Sequence, residues 1–218
     1  MDKKSIDNID IWSILKTGVN VVMSPFAFFR GMPRMGGYLE PFLFLVAMGV
    51  IAGVIKTVLG IPGLHLSIGK GIAFIILLPV INSLYAFAGA LLLHVVWKLM
   101  GSHESYETAF RCLAFVAALT PVTAVLGFLP YIGSLISIIL YTSFLVITST
   151  EVHHIPSRKA WIVFGIIGTL LFFMHASTEF AARKAGSDSK RPQKEVREFS
   201  IAAGRETRSP LTRSRAMP

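Results

Sequence analysis

Residues 39–60 read LEPFLFLVAMGVIAGVIKTVLG. After Glu40 the run carries no charge until Lys56 and no polar side chain other than Lys56 and Thr57. About 20 apolar residues, at about 1.5 Å each, cross a hydrocarbon core of about 30 Å. Lys56 sits one turn from the end, where its long stem lets the ammonium reach outward. This stretch is a transmembrane helix, and it sets the class of the whole chain.

Four more apolar blocks follow. The second, Lys70 to Met100, is interrupted only by Pro79. As one helix it would reach roughly 46 Å, too short for two crossings, so it reads as a single long or kinked helix. The third runs from Thr108 to Phe128 with Pro121 in its middle, and the fourth from Ile132 to Thr150. Pro130 and Gly133 leave only a tight turn between them, which makes an antiparallel hairpin. The fifth, Ala160 to Ala176, is at the short end of the spanning range. Pro62 and Gly63 mark a loop between the first two spans, and the polar residues 151–159 separate the last two.

Composition agrees. The chain has 218 residues, 53% hydrophobic and 15% charged, with a mean hydropathy of +0.64. Soluble domains carry about 25% charged residues. The net charge of +9 is not a nucleic-acid footprint, because it is concentrated at one end. Residues 183–218 hold ten lysines and arginines against four acidic residues and few apolar ones, which reads as a disordered basic tail. Cys112 is the only cysteine, so neither a disulfide framework nor a cysteine-based zinc site is open to the chain. Residues 1–10 mix both charge signs and do not read as a cleavable signal peptide.

Before the first span, residues 5–29 form an amphipathic segment. Ile11, Trp12, Leu15, Val19 and Val22 share one side of a helical wheel, with Asp7 or Asp10 able to cap its start. Such a helix lies in the membrane interface or packs on the rest of the chain, and both readings stand. Ser24-Pro25 is expected to end it, leaving residues 25–38 as an anchoring loop with aromatics beside Arg30 and Arg34.

Five spans place the termini on opposite sides. With the N-terminus cytoplasmic, nine lysines and arginines outside the tail fall on that side, against Lys56 and Lys70 on the other, as the positive-inside rule asks. The tail then falls on the wrong side. If it is cytoplasmic it reads as an anionic-lipid contact, and the count of five spans is what must change.

Ionisable groups within spans are candidates for function. Glu40, Arg111 and Glu151 fall near one interface. The hairpin brings Arg111 and Glu151 level, and they are expected to pair, either to fix helix packing or to form a site for a headgroup or a partner's acidic loop. Asn82, Ser83, Thr120 and Thr123 lie midway along two proline-interrupted spans, where they would form a polar cavity or bond between helices. His94, His103, His153 and His154, with Glu104, lack metal-ligand spacing and read as solvated. There is no phosphate loop and no nucleophile elbow. No catalytic, metal or cofactor site is expected, and no enzyme. Gly49 and Gly53 form a GxxxG pair that permits close helix approach.

Several pieces in order resemble the Yip domain family, multi-span proteins named for interaction with Ypt/Rab GTPases. They are Pro25 with Phe28-Phe29, Gly36-Gly37-Tyr38, Glu40-Pro41, Glu104-Ser-Tyr106 leading to Thr108-Ala-Phe-Arg111, Pro121, Pro130 with Gly133, and His154-Ile-Pro-Ser-Arg-Lys-Ala160. The resemblance covers roughly residues 20–176. It implies five transmembrane helices, a cytoplasmic N-terminus and, for eukaryotic members, a role in vesicle traffic. Only 38 residues precede the first span here, as in the prokaryotic branch, which puts binding of a small GTPase in doubt. The basic tail has no counterpart in the family pattern.

The expectation is therefore an all-α polytopic membrane protein. Its parts are an N-terminal segment (1–38), a five-helix domain (39–176) and a basic tail (177–218). It would sit in a membrane, the bacterial inner membrane on the resemblance. Its partners would be the lipid bilayer and other membrane proteins or copies of itself, not nucleic acid. It would organise membranes or act as an adaptor. The alternative is a small transporter or lipid-handling protein built around Asn82 and Thr120.

Overall fold

A computed structural model describes residues 11–64, 67–129, 132–174 and 176–178, apart from the side chains of 61–64. The expected caps Asp7 and Asp10, the Pro130 turn and the basic tail lie outside the described residues. The elements are α1 (Ile11–Met23), α2 (Pro25–Gly31), α3 (Leu39–Leu64), α4 (Ile68–Leu99), α5 (Tyr106–Val116), α6 (Leu119–Leu126) and α7 (Ile132–Glu151), then α8 (Ser157–Thr178). The described residues contain no strand.

α3, α4, α7 and α8 are each long and apolar enough to cross a membrane. Two further pairs qualify only if each bent pair is one span: α1 with α2, bent by 116°, and α5 with α6, bent by 42°. The range is thus four to six crossings. The five expected segments correspond to α3, α4, the α5–α6 pair, α7 and α8.

α4 is one continuous helix through Pro79. Proline cannot donate to the ladder, and the Ser83 hydroxyl bonds the Pro79 carbonyl at 2.7 Å. Pro121 acts more strongly. Ala117 and Ala118 leave the α-helical pattern, and Thr120 N–H reaches the Ala117 carbonyl three residues back. The expected single third helix is therefore two short helices. Two loops are shorter than the sequence suggests. α3 runs through Pro62 and Gly63 to Leu64. Residues 25–31 are helical, because proline at the first helical position costs no hydrogen bond.

α3 and α4 form the tightest seam. A Cβ on Gly49 would stand 2.8 Å from Pro79 Cα, and one on Gly53 2.8 Å from Ile75 Cα. The GxxxG pair is therefore what lets these backbones touch. α5 packs on α3 and α4, and α6 on α3 and α7. α2 plugs the bundle: Phe29 is buried with its ring 6.4 Å from Phe144 of α7, and Phe28 lies 5.1 Å from Phe115 of α5.

α1 packs on the rest of the chain through one narrow face. Gly18 and Val21 are buried, with Gly18 against Met48 of α3. Ile11, Trp12, Val19 and Met23 of the same helix are exposed. Large apolar side chains are also exposed along α3, α4, α7 and α8, among them Val54, Ile76, Leu84, Ile139 and Ile166. An apolar surface this extensive needs a cover other than water.

Candidate functional site

The loop 32–38 folds back onto the start of α5, and charge holds it there. Ser105 caps α5, its hydroxyl accepting from Thr108 N–H at 3.3 Å. Glu107 follows in the first turn, where the helix dipole favours an acid. Gly36 and Gly37 have φ of +147° and +84°, a region that favours glycine. In that conformation both N–H groups converge on Glu107 Oε1, at 2.8 and 2.7 Å.

One turn later Arg111 enters the core, 1% exposed. Its Nε donates to Pro33 O at 2.9 Å and its Nη1 to Gly37 O at 3.0 Å. Its Nη2 pairs with Glu40 Oε2 at 3.0 Å. Phe115 lies beneath the guanidinium, 5.9 Å to the ring centre. A buried charge is tolerated only when its donors are matched, and here two loop carbonyls and a carboxylate match them.

Two neighbouring pairs extend the cluster. Arg34 donates to Glu104 Oε1 at 2.6 Å and meets His154 Nε2 at 2.6 Å, while its own carbonyl accepts from Thr108 Oγ1. Arg30 pairs with Glu151 Oε2 at 2.8 Å. The expected Arg111–Glu151 pair therefore does not form. The sequence argument compared only helix ends, and each residue found its partner in the 25–40 segment instead. This segment, α5, the end of α7 and the loop after it are joined at one end of the bundle.

A second polar group lies at the same end of α4, and sequence reasoning missed it. Trp97 is fully buried and donates Nε1–H to Ser149 Oγ at 2.8 Å. His153 stacks on it with ring centres 3.9 Å apart, and Ser102 Oγ meets His153 Nδ1 at 2.8 Å. Gly101, at φ +102°, closes α4 with Ser102 N–H on the Trp97 carbonyl and Gly101 N–H on that of Lys98, the glycine stop of helix ends. His153 is thus buried where a solvated loop histidine is expected, and burial pushes its pKa down to about 3. The one available signal was a tryptophan near serines at two helix ends. Among the described residues no group of three metal-ligating side chains gathers.

The four candidate cavity residues separate. Ser83 and Thr123 turn their hydroxyls onto carbonyls of their own helices. Asn82 and Thr120 instead line one open recess of about 160 Å³ with Tyr85 and Tyr141. Asn82 Nδ2 is buried and, among the described residues, has no hydrogen-bond partner.

An all-helical fold and at least four apolar helices of spanning length define a multi-pass membrane protein. A family model, Yip1 domain, matches residues 19–178. That is well over half of the chain, and the protein belongs to the Yip1 domain family. No curated protein and no solved structure matches it.

Proposed function

We propose that this chain is a non-enzymatic membrane organiser of Yip type. It crosses the bilayer five times, with α5–α6 as one broken span, and α1 rests in the interface. The Arg111 cluster faces the cytoplasm and fixes a docking face for other membrane proteins. The observation that carries this reading is the clamp itself. Three ion pairs and two glycine N–H groups tie the 25–40 segment, from α2 to the start of α3, to α5, the loop before it and the end of α7. Beside them Phe26 and Met35 are 56% and 77% exposed, a pairing of apolar anchor and polar rim that suits contact.

The test is photocrosslinking in native membranes from position 35, with Ile76 on the exposed face of α4 as the comparison. The reading expects discrete protein adducts from position 35 and lipid adducts from position 76. Lipid adducts alone at both positions would overturn it.

A further inference from the structure

The recess at Asn82 belongs to a different part of the molecule from the Arg111 cluster and carries an inference of its own. Asn82 lies fourteen residues from Ile68 and seventeen from Leu99 along α4. At about 1.5 Å per residue it stands more than 20 Å from either end, near mid-membrane. There an amide N–H without a partner is costly, because neither water nor lipid tails satisfy it.

The recess floor is the broken third span. Leu113 comes from α5, and Thr120 follows the Ala117–Ala118 break in α6. Interrupted helices at membrane depth are tolerated where they line a cavity, and such breaks mark binding sites in other membrane proteins. The walls are α4, with Asn82, Tyr85 and Ala86, and α7, with Tyr141. The recess is open, and Tyr85, which lines it, is 73% exposed. An occupant enters sideways from the bilayer.

Three constraints define that occupant. It must accept a hydrogen bond, since the Asn82 amide, its Nδ2 covered and without a partner among the described residues, gains one by turning toward the recess. It must be uncharged, because among the described residues no ionisable group other than the two tyrosines lines the recess. Its polar part must be small: a cavity of about 150 Å³ accommodates a benzene ring, and this one is about 160 Å³. Phospholipid esters carry a carbonyl too, but a charged headgroup holds it near the interface, whereas an uncharged lipid can carry its carbonyl to mid-membrane depth. We propose that the recess binds the carbonyl group of an uncharged lipid, with the lipid tail lying along the exposed apolar face of α4. A quinone ring and the ester of a neutral glycerolipid both present this chemistry.

The full chain in phosphatidylcholine nanodiscs would be exposed to three photoactivatable probes: an isoprenoid quinone, a diacylglycerol and a phosphatidylcholine. Labelled peptides would be mapped by mass spectrometry. The expected result is labelling of α4 around Asn82, or of 113–121, by the quinone or the diacylglycerol, and the arm that labels identifies the source. Asn82→Leu removes the donor at similar volume and should weaken labelling about five-fold, the effect of one neutral hydrogen bond. Thr120→Val supplies a second variant at nearly constant shape and should weaken labelling in the same direction. Monodisperse elution of each variant shows that it folds. The proposal is overturned if neither neutral lipid labels the recess above the phosphatidylcholine probe. It is equally overturned if labelling is unchanged in Asn82→Leu, which would leave the amide to water or to nothing. Neither result bears on the crosslinks expected from position 35.

Discussion

Replacing Arg111 by methionine keeps an unbranched side chain in the core and removes three charge-assisted hydrogen bonds. Bonds to charged groups contribute about 1.5–3 kcal/mol each when both partners are shielded. The shielding here is one-sided. Arg111 is 1% exposed, whereas the Glu40 side chain is 69% exposed and Pro33 and Gly37 lie in an exposed loop. Water can take over the released acceptors, and the buried charge no longer has to be desolvated. The net loss should fall near the low end for a broken buried pair, about 3 kcal/mol. For a chain of this size that corresponds to a melting temperature lowered by about 6–12 °C.

Thermal unfolding in mild detergent measures the loss, and tryptic cleavage after Arg34 reports release of the loop. Glu40→Gln keeps an acceptor for Nη2 but takes away the countercharge of a buried guanidinium, and should cost about 1–3 kcal/mol, no more than Arg111→Met. The double reversal Arg111→Glu with Glu151→Arg should not recover stability, since these residues do not pair. The reasoning fails if Arg111→Met melts with the wild type and its loop resists trypsin equally, or if that double reversal restores stability.

Gly53→Ala pushes a methyl group into the α4 backbone and should destabilise by about 1–3 kcal/mol, whereas Gly165→Ala, which meets only open space, should be neutral in the same melts. His153 gives a pH signature. Its folded-state pKa of about 3 lies below the ordinary value of about 6.5, so the unfolded chain binds the extra proton between those values. Stability from this residue is complete above about pH 6.5 and drains away as the pH falls toward 3. His153→Phe should flatten the dependence of melting temperature on pH across that window. Trp97→Phe removes the bond to Ser149 and leaves a void, and should cost about 2–3 kcal/mol, against about 1 for Ser149→Ala, by chemical unfolding.

Hydropathy made α3, α4, α7 and α8 legible, because a membrane span is a property of one contiguous stretch. The proline at 121 marked the α5–α6 break, but its consequence, two helices at 42°, depends on the neighbours that hold the bend. Arg111 stood out as an ion in an apolar run. Of its partners only Glu40 did; the carbonyls of Pro33 and Gly37 come from a loop with no periodicity that folds back across more than seventy residues of sequence. Gly36 and Gly37 were the visible trace of that fold-back, and their need for positive φ becomes readable only beside Glu107. Of the four expected cavity residues, Asn82 and Thr120 line one recess and Ser83 and Thr123 do not. Serine and threonine in helices can satisfy themselves on their own carbonyls, as Ser83 and Thr123 do, whereas Asn82 does not.

The proposed orientation of this multi-pass protein puts its Arg111 cluster on the cytoplasmic face. Cys112 is fully buried, so single cysteines placed elsewhere report accessibility to a membrane-impermeant maleimide. Met35→Cys and Ser157→Cys lie at the clamped end, and Ser67→Cys lies beyond the far end of α3. The account predicts that the first two label only from the cytoplasmic side of sealed vesicles and the third only from the opposite side. Labelling of Met35→Cys and Ser67→Cys from the same side would contradict it.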